Sequence, residues 1–166
     1  MLAVRLMKTA MVASVALFAL IVAYDNIADY GSNYAFVQHT LSMDTTFPDN
    51  VLRDRAIRSP TLWTAAYAAI IATEAAVGIV LAYAALVLLR ARRSPAALFQ
   101  AAKRPVAIGV GLGFLLWFTG FMVVGGEWFL MWQSKTWNGQ EAAFRFYMTL
   151  LAVGIFVGQP DAELDS

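Results

Sequence analysis

Glu74 lies inside the apolar run Leu62–Leu89, where an ionisable group is costly and is a functional hypothesis by default. Twelve residues of helix separate it from Leu62, or roughly 18 Å at about 1.5 Å per residue. That places it near mid-membrane if Trp63 marks the interface. Two readings follow: a carboxyl that carries a proton or holds a ligand, or a protonated acid that fastens helices to Ser14, Thr73 or Thr119. Arg145 is the second such group, about one turn inside the last apolar run. Asp25 and Asp29 share a helix face by their spacing of four, and Glu127 ends the third run at a similar depth. An unpaired guanidinium in lipid is far more costly than a paired one, so Arg145 is expected to meet Asp25, Asp29 or Glu127. The pair reads as a clamp between helices, or as a receiver of an anionic ligand. His39, the lone histidine, precedes Asp44 by five residues. One histidine without a helical His partner does not make a metal site. Ser32, Thr40 and Ser42 lie near it, but no strand–turn–helix elbow surrounds any of them, as a nucleophilic triad would need.

These groups need elements to hold them. The chain has 166 residues, 60% hydrophobic and 14% charged, against about 45–50% and 25% in soluble domains. That composition indicates an integral membrane protein forming a single domain. With no Cys, zinc–thiolate sites, iron–sulfur clusters and disulfides are excluded, and one His excludes bis-histidine haem. No cofactor or metal is expected. A net charge of +1 gives no footprint for nucleic acid. Four runs approach or exceed the roughly 20 residues that cross a bilayer: about 9–28, 62–89, 105–131 and 141–157. Backbone in lipid must satisfy its own hydrogen bonds, so each is read as a helix and the fold as an all-α, four-helix transmembrane bundle. The first run follows Arg5 and Lys8 as a cleaved leader would, with a cut after Ala23 as the alternative, but no clean small-x-small site precedes its polar boundary.

Arg5, Lys8, Arg90, Arg92, Arg93, Lys103 and Arg104 fall on one side of such a bundle. Arg53, Arg55, Arg58 and Lys135 fall on the other. Basic residues near span ends stay cytoplasmic, so both termini are expected inside. The acidic tail Asp161, Glu163 and Asp165 does not oppose this, since acids contribute little to the rule. Trp63, Trp128, Trp132 and Trp137 then form an outer aromatic belt. In the inner loop, Ser94-Pro95 reads as an N-cap with proline at the first helical position, flanked by basic residues that favour anionic lipid.

Helices in a bilayer associate through small residues. Ala65, Ala68, Ala69, Ala72, Ala75, Ala76 and Gly78 on span two, Gly109 and Gly113 on span three, and Gly154 and Gly158 on span four supply them. They are read as packing within the bundle, with a seam between subunits as the alternative. Gly109-Val-Gly111-Leu-Gly113 is not a nucleotide loop, because no strand precedes it. The outer connection Asp29–Thr61 is longer than a plain loop and rich in apolar residues. Phe36–Leu41 and Arg53–Ile57 suggest short helices, Asp44–Asp49 a turn, and Ser59-Pro60 a boundary before span two. The segment Trp128–Gln140 interleaves Trp132 and Trp137 with Asn138 and Gln140, and Asn138-Gly139 signals a turn. The two segments are expected to pack as an extracytoplasmic cap, which either seals the bundle or presents a recognition surface.

Asn26-Ile-Ala-Asp29-Tyr30-Gly-Ser-Asn33-Tyr-Ala-Phe36-Val37-Gln-His39-Thr-Leu-Ser-Met43-Asp44-Thr45 and Gly126-Glu127-Trp128-Phe-Leu-Met-Trp132-Gln133-Ser134-Lys-Thr-Trp137-Asn138-Gly139-Gln140 resemble the bacterial "predicted small integral membrane protein" family. The resemblance covers almost the whole chain. It implies a bacterial inner-membrane protein with four spans, and brings no activity and no catalytic residue. The residues favour a non-enzymatic accessory or assembly subunit of a larger, respiratory-type membrane complex, with lipid and other membrane subunits as partners. A binder or carrier of a small amphiphile or ion through Glu74 and the cap is the alternative, and a membrane enzyme the least favoured.

Overall fold

The computed structural model describes residues 1–163, so Asp165 lies outside the described residues. The elements are α1 (Leu2–Ala28), α2 (Tyr30–Ser42), α3 (Pro60–Ala91), α4 (Ala96–Ala101), α5 (Arg104–Phe114, continuing as a π-helix over Leu115–Trp128) and α6 (Gln140–Gly158). Single 3₁₀ turns lie at Arg53–Arg55 and Met131–Gln133, and there is no strand among the described residues. Four helices are long and apolar enough to cross a membrane: α1, α3, α4 running on into α5, and α6. The all-α membrane fold expected from run length is what the chain adopts.

α1 packs along α3, α3 along α5, α5 along α6, and α6 back against α1. The core between them contains Val12, Ala16, Ala19, Val77, Leu81, Ala84, Leu88, Trp117, Leu150 and Val153. Glycines permit the closest approaches. A Cβ on Gly78 would stand 2.6 Å from Leu20 Cγ and 3.0 Å from its backbone nitrogen; one on Gly109 would stand 2.5 Å from Leu81, and one on Gly113 2.5 Å from Leu150. Gly111 has open space at that position. Gly78→Ala is therefore expected to destabilise by about 1–3 kcal/mol through overpacking. Gly111→Ala is expected to be neutral or to stabilise by up to about 1 kcal/mol through helix propensity. Thermal unfolding of the two variants in one detergent checks the opposite signs.

The alanines of α3 divide differently from the expectation. Ala65, Ala68, Ala69 and Ala72 are exposed on the outer face of the bundle. The neighbouring face, carrying Tyr67, Glu74, Val77 and Gly78, turns inward.

At one end, here the loop end, α1 breaks at Asp29 (φ −109°, ψ 54°) and α2 begins at the next residue. α2 contains the expected Phe36–Leu41 helix and extends it. Met43, Phe129 and Leu130 make a small second core with Leu52 and Ile57. Met43 (φ 52°) and Leu130 (φ 55°) are both left-handed. That conformation costs about 1–2 kcal/mol each for a residue with a side chain, and burial of these two side chains against each other's neighbours offsets it. The two loops are tied by Thr45 donating to Ser134 Oγ at 2.9 Å and the Phe47 amide donating to Gln133 Oε1 at 3.0 Å. Ser59 caps α3, its Oγ accepting from the Leu62 amide at 3.4 Å. Ser94 does not cap α4. Its N-cap position is taken by Pro95, and the Glu163 carboxylate accepts from the Ala96 amide at 3.0 Å instead.

Candidate functional site

Tyr67 and Glu74 are seven residues apart on α3, two turns on one face, and both are buried. Asn26 lies between their polar atoms. Its side-chain amide donates to Glu74 Oε2 at 2.7 Å, and the Tyr67 hydroxyl donates to its backbone oxygen at 2.7 Å. Glu74 is 2% exposed and has no ion-pair partner among the described residues. Ser14 and Thr73, expected as its partners, bond to the backbone four residues before them. Thr119 is exposed.

Asn26 also corrects the depth of Glu74. It is two residues from the end of α1, so the carboxyl it holds lies towards the loop end. Trp63 lies in the first turn of α3, beside the packed loop. Its indole donates to the Ile57 carbonyl at 2.7 Å, within the packed loop. The first turns of the 32-residue α3 therefore continue past the end of α1, and counting from Leu62 overestimates the depth.

Glu74, Asn26 and Tyr67 line a cavity of about 200 Å³ that also touches Asn33, Trp117 and Gly139. Next to it lies a second pocket of about 190 Å³ with almost wholly apolar walls, among them Leu116, Val124 and Met131. Phe36, Val37, Ile70 and Phe121 line both. The second pocket has one polar group of note, the hydroxyl of Thr40, which is buried and lacks a hydrogen-bond partner among the described residues.

The wall common to both pockets comes from α2 (Phe36, Val37), α3 (Ile70) and the π-helical half of the third span (Phe121). The wider bonding of that half is visible at its end, where the Phe129 amide donates five residues back to Val124 at 3.0 Å. π-Helical turns are rare and recur at functional sites. Gly120 and Gly125 lie on its apolar-pocket side and leave that space unfilled. The expectation of an ordinary span over 105–131 misses this change of helix type. Gly120 and the Gly125-Gly126 pair are its visible trace in the sequence.

The remaining candidates are scattered. Arg145 pairs with Glu141 one turn back on its own helix, both largely exposed, and not with Asp25, Asp29 or Glu127. Four-residue spacing on one helix provides a closer carboxylate than any neighbouring element. Asp25, Asp29 and Glu127 are exposed, with Asp29 accepting from Ser32 Oγ at 3.0 Å. His39 Nδ1 is 2.8 Å from Asp44 Oδ2, and its ring stacks on Trp137 at 4.7 Å. Trp132 packs edge-on against Phe47, and Asn138 Oδ1 accepts from the Gln140 amide at 3.1 Å. The Gln140 side chain abuts Gly126.

The opposite end, here the basic end, holds a cluster that span-counting does not reveal. Asp161 Oδ2 accepts from Lys8 Nζ at 3.0 Å and from Lys103 Nζ at 2.5 Å, and all three side chains are 6% exposed or less. Both lysines also donate to the Gln159 carbonyl. Arg5, wholly buried, donates to the carbonyls of Ser94 at 2.6 Å and Ala162 at 3.0 Å, and its guanidinium lies 4.8 Å from the Phe99 ring centre. Burial pushes the Asp161 carboxyl up, but the hydrogen bonds from Lys103 and Lys8 outweigh it and hold it below the ordinary carboxylate value. The available signal was an acid just after span four, facing lysines at the ends of two other spans.

A family profile described as "Predicted small integral membrane protein (DUF2165)" matches residues 4–160. No curated protein and no solved structure matches the chain.

Proposed function

The chain belongs to this family of small integral membrane proteins, and from that premise we propose that it is a non-enzymatic membrane protein that binds a small amphiphile with a cationic head. One observation carries the reading: a buried carboxyl without a counter-ion among the described residues lines a cavity that shares a wall with an apolar pocket. An ammonium group entering the first cavity supplies Glu74 with the missing charge, and its alkyl tail occupies the second beside Thr40. Each volume is below the roughly 300–1,000 Å³ of drug-sized sites, which favours a short-chain amine over a large substrate. Hexylammonium is the probe. It is expected to change saturably the intrinsic tryptophan fluorescence of detergent-solubilised protein, to which Trp117 contributes from the cavity wall, while hexanol binds more weakly. Equal responses to the two would remove the reading.

A second reading, an accessory or assembly subunit of a larger membrane complex, is supported by the outer surface. Ala65, Ala68, Ala69 and Ala72 present a small-residue stripe outward, and small residues let membrane helices approach closely. Glu141 and Arg145 also face outward near the start of α6. Native mass spectrometry of gently solubilised protein tests it: a partner at fixed stoichiometry supports it, and a lone chain or homo-oligomer counts against it.

Both readings place the protein in a bacterial inner membrane with its termini in the cytoplasm, supported by the seven basic residues of the basic end. The chain has no cysteine, so single ones report sidedness cleanly. Val51→Cys, at an 89% exposed position of the loop end, is expected to react with an impermeant maleimide in intact cells. Ala97→Cys in α4 is expected to react only after permeabilisation. The reverse pattern inverts the topology.

A further inference from the structure

A groove of about 630 Å³ runs between α5 and α6 at the basic end, far from the Glu74 cavities. Val110, Phe114, Leu151 and Ile155 supply apolar walls. Gly111 and Gly158 lie along it, and a Cβ at either would meet open space. Lys103 and Arg104 stand at its mouth. From Lys103 to Phe114 the helix rises roughly 16 Å at about 1.5 Å per residue. Half of a hydrocarbon core about 30 Å thick is one leaflet, so the groove has the length of one acyl chain.

The charges at the mouth are divided in use. Lys103 Nζ is taken up by Asp161, Gln159 and Gln100. Arg104 is exposed and makes no side-chain hydrogen bond or ion pair among the described residues. The result is a leaflet-deep apolar furrow ending at an uncommitted guanidinium, a group that binds phosphate oxygens in bidentate fashion.

We propose that the α5–α6 groove is a selective site for an anionic phospholipid, with one acyl chain between Val110 and Ile155 and the phosphate on Arg104. Charge complementarity names the occupant: a zwitterionic lipid offers the same tail but no net charge to the cationic mouth. The lipid bridges the start of α5 to the end of α6, the helices that Lys103 and the post-α6 segment already join.

The test titrates delipidated protein in a neutral detergent with dioleoylphosphatidylglycerol or dioleoylphosphatidylcholine and follows the unfolding midpoint. The phosphatidylglycerol is expected to half-saturate at about fivefold lower concentration, the contribution of one arginine near a charged surface. Arg104→Gln is expected to erase that preference, and Arg93→Gln, an exposed arginine of the same loop, to keep it. Gly111→Leu fills the groove from α5 and is expected to lose the response to both lipids with its lipid-free midpoint not lowered. Gly158→Leu does so from α6 if the first variant fails to fold. Equal response to the two lipids in the parent protein overturns the proposal. So does an Arg93→Gln effect as large as that of Arg104→Gln, or undiminished binding with the groove filled.

Discussion

Asp161→Asn is expected to lower the apparent unfolding midpoint of the solubilised protein by roughly 8 °C. The carboxylate accepts from two lysines that are almost fully removed from solvent. An asparagine keeps the volume and one acceptor but leaves the cations Lys8 and Lys103 buried without a counter-charge. Breaking a buried pair in this way costs about 3 kcal/mol, and a chain of this size shifts by about 2–4 °C per kcal/mol. The same contact gives a pH dependence of definite sign. The folded carboxyl titrates below its unfolded value, so its stabilisation is complete above the ordinary aspartate value of about 3.9. It is lost as pH falls through the folded value. A midpoint that declines on acidification in the parent protein, with a flatter decline in Asp161→Asn, checks the assignment. An unchanged midpoint at neutral pH refutes it.

Glu74→Gln is expected to weaken hexylammonium binding by about 10–100-fold while leaving hexanol binding within about twofold. A hydrogen bond to a charged group is worth about 1.5–3 kcal/mol, and every 1.4 kcal/mol is tenfold in affinity. The amide retains the size of the carboxyl and an oxygen for Asn26 to donate to, so the cavity keeps its shape and loses the group that can pair with a cation. Titration of the intrinsic tryptophan fluorescence, to which the cavity-lining and 2% exposed Trp117 contributes, measures both ligands. Equal affinities in the two proteins would leave Glu74 as a fastening between α1 and α3.

Run length made the four spans legible, because a bilayer demands about 20 apolar residues whatever the neighbours do. Local chemistry made Ser59-Pro60 legible as the start of α3, and the apolar content of Asp29–Thr61 announced α2. The sequence could not reveal which long-range partner wins. Ser94 had the right residue type and spacing for a cap, yet Glu163, distant in the chain, occupies that role. Depth along the spans points Arg145 to acids on other helices, yet Glu141 lies one turn away on its own. Glu74 was identifiable by its cost in an apolar run, but Asn26 and Tyr67 join it only through the packing of α1 on α3. The π-helical turn that shapes both pockets has no periodic signature distinct from an ordinary apolar helix.

The ion cluster at the basic end imposes an order on biogenesis. Lys8 and Asp161 are 153 positions apart, so the lysine is synthesised long before the residue that neutralises it. The first span is therefore made with Arg5 and Lys8 still lacking the partners they have in the folded chain. Only when the ribosome has delivered the residues after α6 can the cations be sequestered, the loop carbonyls engaged and α4 capped by Glu163. Closure of this end waits on the residues after α6: a chain ending before Gln159 lacks both the carbonyl and the carboxylate that accept from Lys8 and Lys103.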